Sequence, residues 1–223
     1  MDESFLTRAE EVKAAIRSAF AAVEYPGDWC LRGSNEGDEP YLLEEQFKGK
    51  TAWSDLDASF IDQAPDGYGS ALSFFSDEAF HFYLPAYLIA DLQDRLQTAD
   101  PVFHLTNGFS GKVVKLPAGQ RIYEKTIGKS AFVNPRRYGT MTWYDNALCQ
   151  LSVFTREEAG AIVAYLEYKW DADPRGLNAE EINAALDTFW RDRATNGPTH
   201  HAVRQQLTEE AEYLRDIGGG KGG

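Results

Sequence analysis

The chain has 223 residues and a mass of 25.0 kDa, room for one domain or two small ones. Hydrophobic residues at 43% and aromatics at 13% supply an ample core and exclude a disordered chain. Thirty-five acidic against 22 basic residues leave a net charge of −13 and a pI near 4.7, which repels phosphate backbones and anionic lipid and argues against nucleic acid and membrane surfaces as partners.

The N-terminal stretch MDESFLTRAEEVKAAIR is charged and helix-like, without the apolar core of a signal peptide. Val12, Ala15, Ile16, Ala19, Phe20 and Val23 recur at the spacing of one buried helical face, which predicts a helix from Glu3 to Val23. Tyr25-Pro26-Gly27-Asp28 stops it, and a polar, acidic loop follows to Pro40. Glu39 to Phe47 is a short helix. Ser54 with Asp57 has the spacing of a helix N-terminus, opening another short helix to Gln63.

The centre of the chain is Ala71 to Leu96, ALSFFSDEAFHFYLPAYLIADLQDRL. Its apolar residues point in every direction at helical spacing, and such a helix is buried on all sides. Ser76, followed by Asp77 and Glu78, supplies a capped N-terminus. Pro85 lacks an N–H and clashes with the preceding turn, so the expectation is a helix kinked or split there, resuming to Leu96. The longest uncharged apolar run, Phe82 to Ala90, is well short of the roughly twenty residues that span a bilayer.

From Gly111 to Gly139 the charge reverses. Seven basic residues stand against one acid, Glu124, a net of +6 that leaves −19 on the rest of a chain whose total is −13. KVVKL and RIYEKTI are strand-like and separated by Pro117-Ala118-Gly119, which predicts a small hairpin. Arg136 and Arg137 are candidates for anion binding, but no phosphate-binding motif accompanies them, and neutralisation of the arm by the acidic body is the simpler explanation of the charge.

Met141 to Phe154 reads as a short strand or buried connector. Thr155 and Glu158 form a capping box for a helix that buries Ala159, Ile162, Val163 and Leu166 and ends near Trp170. Asn178 with Glu181 repeats the device, and that helix buries Ile182, Ala185, Leu186, Phe189 and Trp190. A last helix follows Asn196-Gly197-Pro198 with Val203, Leu207, Ala211 and Leu214 on one face. The organisation is therefore one mainly α-helical domain over 1–217, with a basic arm or insertion at 111–139 and a flexible glycine-rich tail at 218–223.

The motifs IRSAF, YPGD, GKTAWSDL, ALSFFSDEAFHFYLPAYLIADL, FHLT and FTREEAGAIVAYLEY, taken in order from Ile16 to Tyr168, resemble DUF6714, a bacterial family of unknown function. Pro26, Gly27, Asp28, Trp53, Leu56, Ser76, Phe80, Tyr83, Leu84, Pro85, Tyr87 and His104 fall at positions resembling its shared ones. The resemblance implies a mostly helical bacterial domain and no assigned activity.

Motifs of established chemistry are missing. Glu78 and His81 have the Glu-x-x-His spacing of di-iron bundles, but no second pair accompanies them. A histidine hydrogen-bonded to Asp77 or Glu78 is the simpler reading of His81. Cys30 and Cys149 lack partners at chelating spacing and suit a reducing, cytoplasmic compartment; Cys149 sits in an apolar context that predicts a buried, inert thiol. G-x-S-x-G is absent, and Gly108 to Lys112 does not meet the phosphate-loop pattern. No cofactor or metal is implied. Two functional readings follow. The first is a non-enzymatic acidic protein that binds a protein partner, in an inhibitor or immunity role. The second is a hydrolase or metal-dependent enzyme whose site is assembled from Asp55, Asp57, His81 and His104, with Asp28 alongside.

Overall fold

The computed structural model describes residues 3–64, 71–111, 113–118, 121–126, 131–134 and 139–205. Helix α1 spans Glu3–Ala19, α2 Glu39–Phe47, α3 Ala58–Gln63, α4 Asp77–Leu92, α5 Pro101–Thr106, α6 Trp143–Gln150, α7 Arg156–Ala172, α8 Ala179–Ala185 and α9 Arg191–Asn196. Strands β1 (Val113–Ala118) and β2 (Arg121–Thr126) pair antiparallel, as do β3 (Ala131–Asn134) and β4 (Gly139–Thr142). Among the described residues the chain is mainly helical, and its paired strands fall between Val113 and Thr142, in the basic arm and just after it. No helix among the described residues is long and apolar enough to cross a membrane.

Helix α4 is the axis. Eleven of its sixteen residues are buried, which is what an all-round apolar helix requires. It packs against α1, α3 and α5, while α7 lies across α1, α8 and α9. Ser76 caps α4, its hydroxyl accepting from Ala79 N at 3.0 Å. The helix then passes through Pro85 without interruption, against the expectation of a split at that residue. The break lies earlier, between the 3₁₀ turn Ala71–Ser73 and Ser76, where an isolated bridge pairs Phe75 with Arg32. A proline in a helix interior costs about 3 kcal/mol, and burial of nearly every neighbouring side chain outweighs that local penalty. Gln93 ends the helix, four residues short of the expected end.

One aromatic knot fixes the N-terminal half on this axis. Phe47, Phe75 and Tyr83 lie with ring centroids 4.9–5.0 Å apart, and Tyr83 Oη donates to Lys50 O at 2.8 Å. Tyr165 from α7 donates to Asp91 Oδ2 at 2.6 Å, tying the far end of α4 to α7. The Asp62 carboxylate accepts from the backbone N–H groups of Gln97, Thr98 and Ala99 and so sets the loop into α5.

Several local expectations are corrected. Helix α1 ends at Ala19, since the chain turns at Phe20 rather than at Val23. Ser54 caps nothing; Trp53–Asp55 is a 3₁₀ turn, and Asp57 is itself the cap of α3, accepting from Ser59 N at 2.8 Å. The Met141–Phe154 stretch contains a helix, α6, where a strand or connector is expected. Thr142 and Asp145 form its capping box, with N–H···O distances of 3.1 and 3.0 Å. Asn178 makes no capping bond. The α8–α9 rod contains instead a π turn, Leu186–Trp190. In the arm, Pro117 belongs to β1, opposite Ile122, where a two-stranded ribbon tolerates its missing donor. Val203 is buried in the residues 200–205 that begin the last helix, while Leu207, Ala211, Leu214 and the tail lie outside the described residues.

Candidate functional site

Each candidate acid already has a structural task. Asp28 accepts from the Tyr25 hydroxyl and from Gly49 N (2.8 Å), and these two bonds hold its carboxyl below the ordinary range. Asp55 is exposed at the end of its 3₁₀ turn and accepts from Ser54 Oγ at 3.1 Å. Asp57 caps α3; its bonds from Ser59, with an exposed ion pair to Arg95 at 3.3 Å, keep it ionised below the usual range.

The two histidines sit in different surroundings. His81 is 4% exposed, and its Nε2 lies 2.9 Å from Glu158 Oε2 on α7. The expected partners Asp77 and Glu78 are displaced from that role by a residue 77 positions away. Glu78 faces the other way, accepting from Cys30 Sγ at 3.4 Å. His104 projects from α5 beside Phe80 and Phe103, with ring centroids 6.3 and 5.3 Å away. Among the described residues, no three His, Cys, Asp or Glu side chains gather closely enough to hold a metal ion. The Asp and His candidates are thus dispersed among caps, a core pair and an α5 wall. Arg136 and Arg137 lie outside the described residues.

Burial lowers the His104 pKa to about 4. At pH 7 the ring is neutral in the folded chain and mostly neutral in the unfolded one. As the pH falls through 6.5 the unfolded chain takes up a proton that the folded chain refuses until about pH 4, so native stability declines across that window. The expected loss between pH 7 and pH 5 is about 2 kcal/mol from this group. The substitution His104→Gln should remove that increment from the difference between urea midpoints at the two pH values. An unchanged pH difference in the variant would show that the ring is not its source.

The thiols also differ. Burial pushes Cys30 up to about 12, helped by Glu78, whereas Cys149 is half-buried rather than enclosed as its apolar sequence context suggests.

A surface missed as a unit by motif reading lies between α1 and the end of α2. Residues 24–47 carry seven acids, Glu24, Asp28, Glu36, Asp38, Glu39, Glu44 and Glu45, and a single base, Arg32. That base is occupied: its guanidinium lies over the Tyr41 ring at 4.3 Å, and its Nε donates to Glu44 Oε2 at 2.5 Å. Trp29 and Tyr41 are 47% and 49% exposed on this acidic ground. Gly27, at φ 96°, is required beneath Trp29, because a Cβ there would lie 2.8 Å from the indole Nε1. The signal available in the sequence was the acid density; which aromatics stay exposed was not.

Residues 8–114 match the model of a family of unknown function, DUF6714. The match takes in the central α4 motif and FHLT and stops inside β1, so it bears out the resemblance over that range and leaves FTREEAGAIVAYLEY beyond it. No curated protein and no solved structure matches the chain.

Proposed function

We propose that this is a non-enzymatic binding protein that recognises a basic protein partner through the acidic 24–47 face, in an inhibitory or immunity role. The observation that supports the reading is the presence of exposed Trp29 and Tyr41 in a stretch of seven acids, of which Glu24 is paired with Arg204 and Glu44 with Arg32, while Glu36, Asp38, Glu39 and Glu45 have no ion pair among the described residues. Charge of one sign steers an oppositely charged partner and fixes its orientation, and aromatic anchors supply affinity once water is excluded. Tyr41 is held beneath the Arg32 guanidinium, so little of its side-chain freedom is lost on binding. A cytoplasmic setting suits the two free thiols.

The test is affinity capture from a lysate of the parent organism, with the bound protein identified and its affinity measured. Raising salt from about 50 to about 500 mM should release it, since surface charges are screened over that range. Reversing Glu36, Asp38 and Glu39 to lysine together should abolish capture, and Trp29→Ala with Tyr41→Ala should weaken it by about tenfold or more. Capture that ignores both salt and these substitutions, or no captured partner at all, would overturn the proposal.

A further inference from the structure

The first ribbon of the basic arm, β1–β2, pairs six residues with six, from Val113 opposite Thr126 to Ala118 opposite Arg121. Among the described residues its sheet has only these two strands, and no helix packs along it. Ile122 stands 69% exposed. A two-stranded ribbon is marginal in water by itself, and it becomes stable when a third strand or another surface is laid against it. The ribbon therefore has a face to be covered.

The register divides the ribbon into two unlike faces. Successive strand residues alternate, so Val114, Leu116 and Ala118 share a face with the residues paired to them, Lys125, Tyr123 and Arg121. That face joins apolar positions and an aromatic to two cations and no acid, a net of +2. The other face sets Lys115 opposite Glu124, where the charges cancel. A complement stands on the same chain. In the acidic 24–47 stretch, Glu36, Asp38, Glu39 and Glu45 have no ion pair among the described residues. Helix α2, which begins at Glu39, does not pack along the ribbon, so a protomer does not cover its own ribbon with this helix.

From this arrangement we infer that the ribbon docks on a second copy of the chain, the Arg121, Tyr123 and Lys125 face of each protomer on the acidic 24–47 face of the other. Charge selects the occupant. A reciprocal dimer neutralises the ribbon and the acidic face together. A nucleic acid would cover the ribbon alone and bring further phosphates against a chain of net −13. Ribbon-to-ribbon pairing through β2 is opposed by like charges. Antiparallel pairing centred on Tyr123 sets Arg121 against the Lys125 of the copy, and pairing centred on Glu124 sets two glutamates face to face. Six residues on two strands make a face of about 20 by 10 Å. Two reciprocal contacts then bury about 800 Å², too little for a permanent dimer, so the dissociation constant falls at about 10–100 µM. Dimerisation holds the partner-binding face closed until a tighter ligand displaces the arm. The inference rests on the proposed use of 24–47 as a docking surface, but it is tested on the purified chain, so its failure leaves the capture experiment standing.

The experiment is analytical ultracentrifugation of the purified full chain from about 5 to about 500 µM, a range that brackets the expected constant. At about 50 mM salt the mass should rise from monomer to dimer, and about 500 mM salt should return it to monomer. Arg121→Glu with Lys125→Glu should abolish the dimer, and so should Glu36→Lys with Asp38→Lys and Glu39→Lys. Each variant alone sets like charges against like. Mixed in equal amounts, the two present opposite charges again and should recover a dimer. That recovery separates docking from damage to the fold, because a misfolded chain is not rescued by a partner of reversed charge. Overturning results are a monomer at the highest concentration in low salt, a dimer that survives either set of reversals, or a mixture that stays monomeric. Binding of a short DNA duplex that Arg121→Glu with Lys125→Glu abolishes would also overturn the inference, assigning the ribbon to nucleic acid.

Discussion

Replacing Glu158 by alanine is expected to destabilise the protein by about 3–4 kcal/mol, the sum of a lost cap and a stranded buried partner. Glu158 is fully buried. Its Oε2 accepts from Thr155 N at 2.7 Å, closing the α7 capping box, and meets His81 Nε2 at 2.9 Å. The Thr155 hydroxyl returns the bond from Glu158 N at 3.2 Å. One carboxylate thus caps α7 and satisfies the axis helix. Arg193 stands near enough to feel its charge, and it donates from Nε to Phe154 O at 2.7 Å and from Nη2 to Ser152 O. Removal therefore leaves His81 without its partner between Phe20 and Phe154 and weakens the joint of α4, α7 and α9 together. Urea unfolding of Glu158→Ala and Glu158→Gln separates the causes. Glutamine keeps the shape and an acceptor for Thr155 N, so it should cost clearly less than alanine if geometry dominates. Equal losses would place the effect in the charge, and a loss below about 1 kcal/mol for alanine would deny the joint any structural weight.

Trp190→Ala is expected to cost about 3–5 kcal/mol, the range for emptying a large aromatic site that cannot collapse. Trp190 is fully buried at the end of the π turn, with Phe154 at 5.6 Å and Phe189 at 4.9 Å between ring centroids. Its Nε1 donates to Leu105 O at 2.8 Å. That carbonyl lies in the last turn of α5, where backbone acceptors have no intrahelical donor, so the indole supplies the missing bond. Trp190→Phe isolates this contribution: it should recover most of the packing and lose about 1 kcal/mol for the unmatched carbonyl. Denaturation curves of both variants against the parent chain decide the matter, and a Phe variant as damaged as the Ala variant would assign the stability to the hydrogen bond alone.

The helices whose ends are written in short-range chemistry were legible from residues alone. Glu39–Phe47 follows its apolar period, Ser76 caps α4 because a hydroxyl three residues before Ala79 reaches its N–H, and Thr155 with Glu158 closes α7. The same rule failed where it was applied too freely or not at all. Asn178 has the right spacing and makes no cap, while Thr142 with Asp145 opens α6 in a stretch whose aromatic, apolar character suggests a strand. Local propensity is a small term, and burial against neighbours overrides it, as it does for Pro85 inside α4.

For function the division is sharper. The candidate acids Asp28, Asp55 and Asp57 are visible as acids, but only the backbone path shows that each is occupied at a turn or cap. His81 is matched by sequence spacing to Glu78 and by the fold to Glu158, because hydrogen-bond partners in a core are chosen by packing across helices and not by proximity along the chain.

By itself the sequence determined the mainly helical class, the buried central helix, the acidic body with its basic arm, and the starts of α1, α2, α4 and α7. Those follow from residue period, charge and hydrogen bonds spanning three or four positions. Only the tertiary structure decided that Trp29 and Tyr41 remain at the surface, that Glu158 serves two helices, and that no described helix packs along the β1–β2 ribbon. Each of these depends on which distant segments lie against one another, and solvent exposure is fixed by those neighbours rather than by the side chain's own chemistry.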